Sequence, residues 1–185
     1  MNQRFEAQYN TKKAGAGKST GVKANTKFMI QSRMGGGRVL YVAEHMGGGQ
    51  YRMKIRKAKY DNREFFYYNS ASGVLESALN RGYGIAVQKG KNNRGALLVL
   101  RPKDKSNTQV WSYKRNSYHN WSPFSNKGLC MDVAGASNKD GATVHVWSCH
   151  NGVNQRFEAQ YNTKKAAAGK STGVKANTKF MIQSR

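Results

Sequence analysis

Residues 129–157, LCMDVAGASNKDGATVHVWSCHNGVNQRF, concentrate the side chains that could do chemistry. Cys130 and Cys149 bracket two strand-like runs, as a disulfide closing a hairpin would. Asp132 follows the first cysteine by two residues, and Trp147 precedes the second by two. Asn154 and Gln155 stand near the end. A carboxylate accepts hydrogen bonds from two vicinal hydroxyls. An indole face packs on the apolar C–H patch of a pyranose, and amides serve the remaining hydroxyls. Together these are the parts of a sugar site. In a strand over 143–149, Val144 and Val146 point to the face opposite Trp147, so the valines turn inward and the indole outward.

The elements that position these groups read as short strands. Alternating apolar runs lie at 38–44 and 51–57, at 83–89 and 96–102, and at 129–135 and 143–149. Gly/Asn-rich turns separate them: GGG at 35–37 and 47–49, KGKNNRG at 89–95, NKDG at 138–141. No window has the period of a long amphipathic helix. Phe65, Trp111 and Phe157 each end a similar phrase, and successive members are 46 residues apart. Three such units, none able to bury its apolar face alone, predict a closed pseudo-threefold all-β arrangement.

A second repeat lies on top of the first. Residues 2–33 recur at 154–185, with Ala167 in place of Gly15 as the one change. Near-identity over that length indicates a recent tandem duplication or an array with a 152-residue period. The Lys/Ala/Gly/Ser/Thr-rich stretch at 164–177, and its copy at 12–25, reads as a linker. The expected organisation is a duplicated end of a preceding repeat plus basic linker over 1–26. The closed three-unit domain over 27–162 follows, then linker plus the first strand of a following repeat over 163–185. Spare strands at opposite ends would let copies join head to tail into filaments.

The phrase C-x-D…W-x-C…N-Q-x-aromatic, repeated twice in degraded form, resembles the ricin B-type lectin family, a β-trefoil of three QxW repeats. The motif is carried by Gln155-Arg156-Phe157 in the third unit and Gln109-Val110-Trp111 in the second. It is poorest in the first, where Arg63-Glu64-Phe65 has lost the Gln. The resemblance implies a carbohydrate-binding, non-enzymatic domain for galactose or N-acetylgalactosamine, with Asp132, His145, Trp147, Asn154 and Gln155 as its site. His145 stands where the family often has Gln, which would make one hydrogen bond pH-sensitive. Gln155 also reads as a residue that holds the strand ladder. In the other units Tyr41 and Ala86 take the place of Asp132. Arg56 (with a one-residue gap) and Arg101 take the place of Trp147. Guanidinium in place of indole suits binding of sulfate, carboxylate or phosphate in place of neutral sugar; the alternative is that both sites are dead and merely exposed.

Composition bounds the rest. A net charge of +23 and a pI near 10.3 imply anionic surroundings, whether acidic or sulfated polysaccharide, nucleic acid, anionic membrane or mineral, and do not choose among them; the expected partners are galactose-type glycans and acidic or sulfated polysaccharide, not nucleic acid. The disulfide points to an extracellular setting, although the polar start MNQRFEAQYN shows no signal peptide. No apolar run could span a bilayer, and no metal or cofactor motif is present. AGAGKSTG at 14–21 lacks the first glycine of a phosphate-binding loop. Nine acidic residues and four histidines present no hydrolase pattern. The sequon Asn120-Trp121-Ser122 is weakened by Pro123.

Overall fold

The computed structural model describes residues 21–88, 93–114 and 118–161. Residues 1–20 and 162–185, which hold most of the duplicated ends with their expected linkers and spare strands, lie outside the described residues. Twelve strands fall into three sets of four. The first is β1 (Phe28–Ser32), β2 (Arg38–Gly47), β3 (Gln50–Lys57) and β4 (Phe65–Asn69). The second is β5 (Val74–Ser77), β6 (Tyr83–Val87), β7 (Leu98–Pro102) and β8 (Ser112–Tyr113). The third is β9 (Phe124–Asn126), β10 (Leu129–Val133), β11 (Ala142–Ser148) and β12 (Phe157–Tyr161). The alternating runs all become strands; in β3 and β11 period-two patterning buries one face, whereas β6, β7 and β10 are each buried over four consecutive residues. Gly47, Gly48 and Gly49 turn the β2–β3 hairpin with φ of 86°, 57° and 70°, a region that costs glycine nothing.

The outer strands of each set close a six-stranded barrel. β1 pairs with β4, β4 with β5, β8 with β9 and β12 with β1. Bridges between Val74 and Val110 and between Ser122 and Phe157 close the two remaining gaps. The inner strands form three hairpins, β2–β3, β6–β7 and β10–β11, which cap one end. β3 pairs with both β7 and β11, and a bridge from Leu97 to His145 completes the triangle. This is a β-trefoil. One core runs through barrel and cap: Phe28, Phe66, Trp111, Phe124 and Phe157 are fully buried. Each such aromatic contributes about 1.5–3 kcal/mol through burial. The Trp111 indole also donates to the Ile85 carbonyl at 2.8 Å.

Before each set's last barrel strand the chain makes a 3-10 turn, at Asn62–Glu64, Asn107–Gln109 and Val153–Gln155. The third residue of each turn is buried: Glu64, Gln109 and Gln155. Each side chain caps the end of its own hairpin. Gln155 accepts from the His150 amide at 2.9 Å and Gln109 from the Asp104 amide at 3.0 Å. Glu64 accepts from Lys59 and Tyr60, the latter at 2.7 Å. The first unit's phrase is therefore Glu64-Phe65-Phe66, one residue later than Arg63-Glu64-Phe65. Phe66 enters the main core beside Trp111 and Phe157, whereas Phe65 packs in a small satellite with Met29 and Val39. In this frame Arg56, Arg101 and Trp147 each precede their turn residue by the same interval, so the one-residue gap disappears.

The expected boundary at residue 27 also moves. Val22 is buried, Ala24 bridges to Tyr68, and the Lys23 amide donates to the Tyr161 hydroxyl at 2.7 Å. Residues 22–24 thus belong to the trefoil rather than to a linker.

Candidate functional site

The β10–β11 hairpin sets Asp132 opposite His145 and Cys130 opposite Trp147. A disulfide joins Cys130 to Cys149 beside this pair. Val144 and Val146 are buried, while Trp147 is 39% exposed, so the alternation holds. The turn Val153–Gln155 then brings Asn154 and Gln155 back against the hairpin. The five expected site residues thus converge, on three separate elements.

Asp132 is their hub. One carboxylate oxygen receives His145 Nε2 at 3.0 Å and Asn154 Nδ2 at 2.9 Å. The other receives Gln155 Nε2 at 2.8 Å and His150 Nε2 at 3.3 Å. A carboxylate only accepts, so both imidazoles donate through Nε2. For His150 the tautomer is fixed from the other side, because Nδ1 accepts from the Gly152 amide at 3.1 Å. Burial pushes the Asp132 carboxyl up, but the hydrogen bonds from His145 and Gln155 outweigh it and hold the group below the ordinary carboxylate range. Asp132 is therefore a fixed anion, aimed by four donors. The His145 ring stacks on Trp147, centroids 5.4 Å apart and planes 17° from parallel. Gln155 serves both readings of it: it caps the hairpin through His150 N and Ser148 O, and it orients Asp132.

His150 is the member that sequence reasoning missed. It sits next to Cys149 in a phrase whose other residues carried the motif, and nothing in its spacing pointed it at Asp132.

The register confirms which residues replace Asp132 elsewhere. Tyr41 lies opposite Lys54 and Ala86 opposite Val99, as Asp132 lies opposite His145. Arg56 and Arg101 do occupy the place of Trp147, but they are not open to outside anions. Arg56 donates to Glu64 at 2.8 Å and to Asp61, and it stacks over Tyr41 at 4.4 Å. Arg101 is buried, pairs with Asp104, and donates to Ser106 at 2.9 Å and Thr108 at 2.8 Å. The Arg101 contact holds the Asp104 carboxyl down at about 2. The guanidiniums are consumed by internal carboxylates, which corrects the expectation of anion sites at these two residues. Among the described residues no group of three or more His, Cys, Asp or Glu is placed to hold a metal, and no helix is long and apolar enough to cross a membrane.

A closed barrel with three capping hairpins, one of them together with the turn behind it presenting a carboxylate, two amides and an indole, defines a β-trefoil carbohydrate-binding domain. The chain belongs to the ricin-type beta-trefoil lectin domain family, whose model matches residues 26–157 and again 71–179. The second match starts one unit after the first, as three similar units require. No curated protein sequence matches the chain. Among solved structures, the designed threefold-symmetric protein ThreeFoil is similar at 18% identity and a TM-score of 0.65, over 72% of this chain and 97% of that one. The C-half of the earthworm R-type lectin, solved with GalNAc, is 19% identical with a TM-score of 0.56, over 73% and 98%. The Macrolepiota procera ricin B-like lectin, solved with lactose, is 16% identical with a TM-score of 0.63, over 76% and 99%.

Proposed function

We propose that the chain is an extracellular lectin domain that takes galactose-type sugars at its third unit and is used as a repeat in a multivalent array. The observation that carries this is the Asp132 carboxylate, fixed by Asn154 and Gln155 beside the exposed Trp147. The two solved relatives above were bound to GalNAc and to lactose, which supports the sugar class. In this reading Asp132 accepts from two sugar hydroxyls, Asn154 donates to one of them, and the C–H face of the ring lies on Trp147. His145 covers part of that indole and occupies one Asp132 oxygen, so it swings aside as sugar enters. One shallow site binds weakly, and linking copies raises avidity by about 10²–10⁴.

Trp147→Ala tests the site. The indole is exposed, so the fold should survive while galactoside affinity falls by about 30-fold, the loss of about 2 kcal/mol of stacking and apolar contact. Titration with methyl galactoside reads this out. An unchanged affinity in the variant would sink the assignment.

A second reading has its own observation. The β12 sequence FEAQY recurs at 5–9 and the β1 sequence FMIQS at 180–184, so each partner of the β1–β12 seam is encoded twice. We infer from this a structural repeat of an extracellular fibre or adhesive matrix, with copies joined head to tail and the lectin fold as scaffold. Sedimentation across a wide concentration range separates the two: filaments growing with concentration support it, and a monomer throughout opposes it.

A further inference from the structure

The first unit has lost the sugar constellation, and the residue at the Asn154 position is an arginine. In the corrected frame Glu64 matches Gln155, so Arg63 matches Asn154. Beside Arg63 a cavity of about 190 Å³ opens between the first and second units. Its floor is Val42, Leu79 and Leu100, and its walls are the rings of Tyr51 and Tyr83. These rings stand edge to face with centroids 6.3 Å apart. The Asn80 amide shares the rim with Arg63. The space is smaller than the about 300–1,000 Å³ of sites for drug-sized ligands. It suits one ring.

Each of the eight described carboxylates has a basic partner. Glu44 pairs with Arg52 and Lys54, Asp61 and Glu64 with Arg56, and Glu76 with Arg81 and Lys103. Asp104 pairs with Arg101, Asp132 with His145 and His150, Asp140 with Arg38, and Glu158 with Arg33. The Arg63 guanidinium pairs with none of them; only its backbone amide bonds to Asp61. An anion reaching the cavity therefore meets a guanidinium fork with no internal competitor, above aromatic and aliphatic walls.

We propose that this cavity is a second saccharide site, for a sugar ring that carries an anionic substituent. The sulfate or carboxylate takes the Arg63 fork, with Asn80 donating beside it, and the ring's C–H face packs on Tyr51 and Tyr83. Its ligand class differs from the neutral galactose unit assigned to the third unit, and it stands on its own observations. A polymer with both neutral and anionic sugar units would engage the two sites of one trefoil together.

The test uses the whole chain and three probes: galactose 6-sulfate, galacturonate and methyl galactoside. Affinities and the NMR signals of Tyr51, Tyr83 and Trp147 are followed in wild type and Arg63→Ala. Perturbation of Tyr51 and Tyr83 by an anionic sugar is expected, with affinity about tenfold weaker in Arg63→Ala, the worth of one charge-assisted bidentate contact. Arg63→Lys should recover part of the loss, since it keeps the charge without the fork. The sulfated probe acting alone assigns a sulfate ester, and galacturonate acting alone assigns a carboxylate. Methyl galactoside, read at Trp147, should bind both proteins equally, which also shows that Arg63→Ala is folded. If methyl galactoside fails in both while the anionic sugar still depends on Arg63, the reading of the third unit falls and this one stands. The proposal is overturned if neither anionic sugar moves Tyr51 and Tyr83, if Arg63→Ala binds them as wild type does, or if a short DNA duplex moves the same tyrosines and displaces the sugars.

Discussion

Asp132→Ala should abolish galactoside binding and lower stability by about 3 kcal/mol, the cost of leaving buried donors without their charged acceptor. Four donors converge on that carboxylate, two of them from Asn154 and the buried Gln155. Removing it leaves those amides facing one another across a gap. Asp132→Asn keeps the volume but turns one oxygen into a donor aimed at donors, so it should lose binding with a smaller loss of stability. Thermal unfolding and methyl galactoside titration check both. A variant Asp132→Ala that binds as wild type would remove Asp132 from the site.

The same carboxylate sets a pH dependence. Its folded-state value lies below the ordinary one, so its contribution to stability is fully present above the ordinary carboxylate range. That contribution is lost as pH falls through the depressed value, because protonation must first break the His145, Gln155, Asn154 and His150 bonds. Unfolding followed from pH 5 downward should show wild type losing stability that Asp132→Asn does not have to lose.

Glu64→Ala should cost about 3–5 kcal/mol, since it removes the buried counter-charge of Arg56, leaving only the more exposed Asp61, and strips two backbone amides of their acceptor. Glu64 is fully buried, accepts from Arg56 Nε at 2.8 Å, and also holds the backbone amides of Lys59 and Tyr60. Glu64→Gln restores the residue type of the other two units. It keeps an oxygen for the amides but removes the charge that pairs with Arg56, so it should be milder than Ala. Adding Arg56→Leu to Glu64→Gln should recover stability, because the apolar chain no longer needs a counter-charge. If Glu64→Ala unfolds at the wild-type temperature, the capping role of Glu64 is wrong, and with it the shifted frame.

That frame shows where the sequence was legible and where it was not. The strands and the trefoil could be read because the apolar alternation recurs three times with glycine-rich breaks between. The third unit could be read because its parts are rare residue types at fixed distances from two cysteines. The first unit was misread because Phe65 and Phe66 are adjacent and both apolar. Nothing local says which of them enters the barrel. The interval from Arg56 to Glu64, equal to that from Arg101 to Gln109 and from Trp147 to Gln155, was the available signal. The internal pairing of Arg56 and Arg101 was not legible, since the carboxylates involved, Asp61, Glu64 and Asp104, come into reach only when the turns fold back on the hairpins. Val22 looked like linker because one valine among Lys, Gly and Thr carries no period, and only the barrel gives it a place to be buried.

The seam between β1 and β12 has a mechanical meaning. The two strands run antiparallel, and Phe28, where the chain enters, lies directly opposite Tyr161, where it leaves. A pull on the chain at both sides therefore does not shear the five facing pairs together. It peels them apart from the Phe28–Tyr161 end, one after another, after first breaking the bond from the Lys23 amide to the Tyr161 hydroxyl. Peeling loads one hydrogen-bonded pair at a time, so the barrel should open at low force and close again when the force is released. Stretching single molecules held at residues 23 and 161 would show this as a soft first step that moving the anchors to 32 and 161 makes stiffer. Placed in a string, such a trefoil would lengthen under tension before any covalent bond was strained, and would give a sugar-binding thread its toughness.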